Sequence, residues 1–131
     1  MTARDGQAAV ELEGVGKAFG GRRVLAGVSL TVPPGGRLGI IGPAAGGKSV
    51  LLKLIAGLQR PDAGAIRVLG HDLVAAREPE LAALRKRIGM LFQNYALFDF
   101  LSVADNVAFP LLHAGVAADE IDARVAARLR A

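Results

Sequence analysis

Cysteine is absent from the 131 residues, so they can build neither a disulfide framework nor a thiolate metal site. Aromatic residues are scarce at 5% and are not interleaved with basic ones, which removes the stacking platform of a single-strand nucleic-acid binder. The balance is basic, with a net charge of +4 and a pI of about 10.1. Apart from Arg85-Lys86-Arg87, however, the cations are scattered along the chain as on a solvated surface, and nucleic acid is not expected as a partner. Long apolar runs are missing too, although 52% of residues are hydrophobic and mean hydropathy is +0.38. Val50–Leu58 is broken by Lys53 and Val103–Leu112 by Asp105-Asn106, short of the roughly 18 residues of a spanning helix. Met1–Ala9 carries Asp5 and no apolar signal core, so a cytoplasmic chain is expected.

What remains is a length suited to one small domain with a real core. Val10, Leu12 and Val15 among polar neighbours predict a strand, and Val24–Val32 a second one before the Pro33-Pro34-Gly35-Gly36 turn. Arg37–Ile41 is short, apolar and β-branched, the composition of a buried strand in a parallel sheet. A helix is expected over Ser49–Leu58, ending at Gly57 and stopped by Pro61, followed by a strand at Ala65–Leu69. Pro79–Arg87 reads as a helix with proline in its first turn, and Ile88–Phe92 as another buried strand. Ser102 is placed to cap a helix through about Ala108, and Ile121, Val125 and Leu129 recur as the apolar stripe of a last helix. Strand, loop, helix, strand, helix, strand is an α/β order.

Between the third expected strand and its helix lies Gly42-Pro43-Ala44-Ala45-Gly46-Gly47-Lys48-Ser49, which satisfies G-x-x-x-x-G-K-[ST]. The pattern has a physical cause. A loop that wraps a phosphate must turn its N–H groups inward, which glycine permits, and the helix that follows adds free N–H donors and a positive dipole end. Lys48 brings a point charge to the terminal phosphates, and the Ser49 hydroxyl can ligate Mg²⁺. The expected ligand is therefore Mg-ATP. His71 and His113 are expected to be ordinary surface or loop residues.

Three further segments carry a family resemblance. Lys17-Ala18-Phe19-Gly20 resembles the A-loop, Gln59–Ile66 the turn after the P-loop helix, and Ile88-Gly89-Met90-Leu91-Phe92-Gln93 the Q-loop strand of the ATP-binding cassette (ABC) transporter ATPases. The resemblance implies a P-loop NTPase fold, with residues 1–131 the N-terminal part of one incomplete ABC ATPase domain. That part would combine an antiparallel β subdomain with some of the parallel-sheet RecA-like core. It implies that Phe19 stacks on adenine and that Gly42, Ala44, Ala45, Gly46, Gly47, Lys48, Ser49 and Val50 hold the nucleotide. Gln93 would act in catalysis, touching Mg²⁺ or the attacking water through its side-chain carbonyl. The implied partners are a second ATPase subunit in a homodimer and a transmembrane permease received on Tyr95 to Phe109. The protein would then lie at the inner face of the cytoplasmic membrane. Val50 within Gly47–Lys53, together with Met90-Leu91-Phe92-Gln93, Ala96-Leu97-Phe98 and Asn106–Leu111, is similar to the Mla-type ATPases. These drive phospholipid or organic-solvent transport with an MCE-type substrate-binding protein. Gln93–Phe98 also resembles importers of sulfate, polyamines or sugars.

Two departures qualify the resemblance. Ala44-Ala45 stands where the family has Ser-Gly, at a position that suits positive φ, and Gly46 is expected to absorb the turn instead. Within these residues there is also no apolar strand closing on Asp-Glu, no Leu-Ser-Gly-Gly signature and no switch histidine. The resemblance therefore implies weak ATPase activity for the 131 residues alone and a longer native protein. The other readings are a non-hydrolytic nucleotide-binding module and a P-loop protein outside the transporters.

Overall fold

In the computed structural model the described residues are 7–93 and 95–131, which form two compact units, one ending at Met90 and one covering Leu91–Ala131. The first unit is built on two long antiparallel strands, β1 (Val10–Phe19) and β2 (Arg22–Val32), joined at Gly20-Gly21. β3 (Ala63–Val68) pairs antiparallel with the other edge of β1, and the two-residue β4 (His71–Asp72) pairs with β3, giving the order β2-β1-β3-β4. Leu12 faces Leu30 on one side and Ile66 on the other. The pairing slips between Leu12 and Val15, and there the Gly14 N–H turns to the Ser29 hydroxyl oxygen at 2.9 Å.

One face of this sheet is apolar because every second residue is, and it is covered by α1 (Lys48–Ile55) and α2 (Glu78–Arg85). Leu51 and Leu54 of α1, Leu81 and Leu84 of α2, and Leu73 join Leu12, Val15, Leu25, Ile66 and Val68 in the buried core. α1 ends as its sequence asks. Gly57 takes φ +66, and the Gly57 and Leu58 N–H groups return to the Leu54 and Lys53 carbonyls at 3.0 and 2.9 Å. The buried Gly57 carbonyl accepts from Arg85 Nη2 at 2.8 Å, and the same guanidinium reaches Glu78 Oε1 at 2.6 Å. Arg60 holds the Val74 and Ala76 carbonyls, both at 2.9 Å. At the start of α2 the Glu80 carboxylate accepts the Arg77 N–H at 2.7 Å, and Pro79 sits in the first turn.

Two expected strands are not formed. Arg37–Ile41 and Ile88–Phe92 carry no strand pairing, and Ile41 and Leu91 are 97% and 80% exposed. Their composition is that of buried strands, but a strand is a ladder between two segments, and none of the described residues pairs with either. The described sheet is therefore wholly antiparallel.

The second unit is a helical hairpin of α3 (Val103–His113) and α4 (Ala118–Arg130), with Ile121 and Val125 of α4 buried. Ser102 is the cap expected of it: its hydroxyl accepts the Asp105 N–H at 3.1 Å. α3 continues past Ala108 through Pro110 to His113. Among the described residues no helix is long and apolar enough to cross a membrane.

Candidate phosphate-binding site

The loop is docked by one residue. Gly47 is the N-cap of α1 at φ +85, and a Cβ there would stand 2.8 Å from Leu25 Cδ2 and 3.1 Å from the Val24 carbonyl oxygen. Only glycine satisfies both conditions, so the loop is seated against β2 at Val24–Leu25. Pro43 begins the turn, with its carbonyl accepting from the Gly46 N–H at 3.2 Å. Ala45 itself takes the left-handed conformation, φ +58, and Gly46 does not. The expectation that Gly46 absorbs the turn is thus corrected. Gly46 is required by space instead, since a Cβ would lie 2.9 Å from the Pro43 carbonyl oxygen.

Lys48 folds over this loop and donates to the Gly42 and Pro43 carbonyls at 2.8 and 2.6 Å, which fixes its ammonium inside the curve of the backbone. The first-turn N–H groups of Lys48, Ser49 and Val50 donate to no protein acceptor among the described residues. No acidic residue stands in that turn, so the dipole end of α1 and the Lys48 charge add without cancellation. Ser49 is exposed there, while Val50 turns its side chain to the core and contributes its N–H. Free N–H donors, a cation and a hydroxyl make a donor set that fits a triphosphate with Mg²⁺. Ser49 would offer the metal its hydroxyl, and the bound metal would supply charge neutralisation between phosphates. Among the described residues no cluster of histidine or carboxylates is placed to hold a metal unaided.

Phe19 lies in the same unit, 46% exposed at the end of β1 and opposite Arg22. That places it about 7 Å along β2 from Val24, where Gly47 is seated. Gln93 belongs to the second unit and is exposed, in a turn where the Phe92 carbonyl accepts the Tyr95 N–H at 3.0 Å. After it Tyr95 and Ala96 are both left-handed, φ +61 and +52. The segment beyond is apolar and open, with Tyr95, Leu97, Phe100 and Val103 exposed. Asn106 holds its backbone, accepting the Phe98 N–H at 2.9 Å and donating to the Phe98 and Ser102 carbonyls, both at 3.0 Å. From sequence, Asp62 is placed inside the Gln59–Ile66 turn and given no role. Its carboxylate takes the Lys17 ammonium at 2.8 Å and the Ala18 N–H at 2.7 Å, and these two donors hold it below the usual carboxylate range. Nothing periodic marks such a residue, but a charge inside a proline-glycine turn is a signal that could have been weighed.

This architecture has known counterparts. Residues 25–131 match the family described as ABC transporter, and the chain belongs to that family. Over 92% of its length it is 45% identical to the cell division ATP-binding protein FtsE of Escherichia coli, and it covers 54% of that protein. It is equally 45% identical to the spermidine/putrescine import ATP-binding protein PotA of Pseudomonas aeruginosa, with 92% of this chain and 32% of PotA aligned. The methionine import ATP-binding protein MetN of Caulobacter vibrioides is 49% identical over 83% of this chain and 33% of its own length. Among solved structures, the dimeric post-hydrolysis state of the ATP-binding cassette MJ0796, bound to ADP and Pi, is similar with a TM-score of 0.82. It is 28% identical, over 92% of this chain and 56% of that one. The chain thus spans about half the length of FtsE and about a third of the two import proteins.

Proposed function

We propose that this chain binds Mg-ATP as part of the ATPase subunit of an ABC transport system. The observation that carries the reading is the loop itself: Lys48 fixed inside a backbone curve that ends on the free N–H groups of α1. In this reading Phe19 stacks on the base, and the loop from Gly42 to Val50 holds the phosphates. Ser49 ligates Mg²⁺, and Gln93 contributes its side-chain carbonyl to the metal or the attacking water. The 131 residues offer no carboxylate pair closing an apolar strand, so hydrolysis needs a base and a metal carboxylate from outside them. A second copy sandwiching the nucleotide is supported by the dimeric MJ0796 cassette with ADP and Pi. A permease docking on Tyr95 to Phe109 is supported by the exposed apolar side chains there.

Direct titration of the full-length protein with Mg-ATP tests the core of this. Wild type is expected to bind, and Lys48→Ala to weaken binding at least about 100-fold, because it removes a charge-assisted contact to the terminal phosphates. Binding that ignores Lys48 would sink the proposal. Folded protein that binds Mg-ATP without turnover would instead favour the non-hydrolytic module.

For cargo we carry forward a lipid-like substrate moved across a bacterial envelope with an MCE-type binding protein. The support is Val50 and the Met90–Gln93, Ala96–Phe98 and Asn106–Leu111 segments. FtsE, PotA and MetN carry cell division, polyamine and methionine in their names, so those are the competing assignments. Deleting the gene separates them. Displaced envelope phospholipid supports the lipid reading, whereas filamentation, lost polyamine uptake or lost methionine uptake each replaces it.

A further inference from the structure

Asp62 is joined to β1 by three contacts across 45 residues of sequence. Its own N–H donates to the Gly16 carbonyl at 2.9 Å, and its two carboxylate oxygens take the Lys17 ammonium at 2.8 Å and the Ala18 N–H at 2.7 Å. The backbone contact to Gly16 already pins the turn to the strand. The carboxylate does something further: it grips the two residues immediately before Phe19. Grip is needed there, because the β1–β2 ladder slips between Val15 and Lys17 and again between Lys17 and Ala18. The Lys17 ammonium so held stands 5.4 Å from the centroid of the Phe19 ring, and the ring is half exposed. A cation fixed against an aromatic ring restrains it and leaves the rest of its surface for another flat group.

We propose that Asp62 is a positioning residue for base recognition, setting the Phe19 ring, through Lys17 and the Ala18 N–H, for a purine base to stack upon. The proposal rests on the reading of Phe19 as the base platform.

The test compares two ligands of the full-length protein by calorimetry, Mg-ATP and Mg-tripolyphosphate. Both engage the phosphate loop, and only one carries a nucleoside, so a change in their affinity ratio between variants at Phe19 or Asp62 reports the base platform. Wild type favours ATP, and Phe19→Ala abolishes the preference. Asp62→Ala is expected to cut the ratio roughly three- to ten-fold while leaving tripolyphosphate affinity unchanged. Asp62→Asn keeps an acceptor for the Ala18 N–H, loses the charge facing Lys17, and falls between. A wild-type ratio in Asp62→Ala overturns the proposal and leaves the Phe19 platform standing. An unchanged ratio in Phe19→Ala overturns both. Parallel loss of both ligands in the two Asp62 variants would make Asp62 a residue of the fold and overturn the proposal as well.

Discussion

Two positions of one loop are expected to answer opposite substitutions with opposite signs. Ala45 is held at φ +58, a conformation that costs an L-residue with a Cβ about 1–2 kcal/mol. Replacing it with glycine removes that strain but gives the unfolded chain more freedom, a loss of about 0.5–1 kcal/mol. The net expectation for Ala45→Gly is a gain centred on about 0.7 kcal/mol, between about 0 and 1.5. Gly47 is the reverse case. Alanine there would meet the same left-handed cost at φ +85 and would push a methyl to 2.8 Å from Leu25 Cδ2. Overpacking of that kind costs about 1–3 kcal/mol more, and the less free unfolded chain offsets about 0.5–1 of it, so Gly47→Ala should lose about 1–4.5 kcal/mol. Urea unfolding followed by far-ultraviolet circular dichroism measures both. Calorimetry with Mg-ATP adds a second axis. The Ala45 strain belongs to the folded loop and cancels between free and bound protein, so Ala45→Gly should bind within about two-fold of wild type. Gly47→Ala unseats the loop from β2 and should bind far more weakly. A destabilised Ala45→Gly would refute the reasoning, as would a Gly47→Ala protein indistinguishable from wild type.

Acid should act on three carboxylates. Asp62 is lowered from 3.8 first by the Lys17 hydrogen bond, and Glu78 and Glu80 from 4.5 by the Arg85 hydrogen bond and the Arg77 N–H respectively. A depressed folded value stabilises above the ordinary pKa and is lost as pH falls through the folded one. Urea midpoints should therefore be flat down to about pH 5 and decline below about pH 4, less steeply in Glu78→Gln. Arg85→Ala leaves the buried Gly57 carbonyl without its guanidinium and should cost about 1–2 kcal/mol in the same unfolding assay. Asn106→Ala removes the clamp on Phe98, and hydrogen exchange at the Phe98 N–H should accelerate at least about ten-fold while α4 amides stay protected. Unchanged exchange would mean that the loop is held instead by the Phe98 ring, whose centroid lies 5.6 Å from that of Phe100 and 4.6 Å from that of Phe109.

These perturbations mark the line between what was legible and what was not. Hairpin alternation announced β1 and β2, Ser102 announced α3, and the four-residue stripe announced α4, because each signal is local and periodic. The phosphate loop was legible for the same reason: its chemistry forces fixed residues at fixed spacing. Arg37–Ile41 and Ile88–Phe92 were misread because composition records how buried a segment expects to be, whereas pairing depends on a neighbour that the segment does not encode.

The contacts that hold the site in place belong to the second kind. Lys17 to Asp62 spans 45 residues, Arg85 to Gly57 spans 28 and Arg60 to Ala76 spans 16, with no period linking either end. The two arginines satisfy carbonyls that turns or helix ends leave unmet, the Gly57 one buried and so costly to leave alone, while Lys17 and Asp62 pair side chain to side chain. Such long side chains are recruited by geometry once the elements have packed, so a sequence can declare the phosphate loop and stay silent about its supports. Substitutions at Arg60 and Arg85 should therefore lower the unfolding midpoint without altering ligand preference, whereas those at Asp62 should move the preference. The ATP-to-tripolyphosphate ratio and the unfolding midpoint then carry separate information. A variant of Arg85 that shifted the ratio while leaving the midpoint unchanged would refute the assignment of Arg85 to the fold.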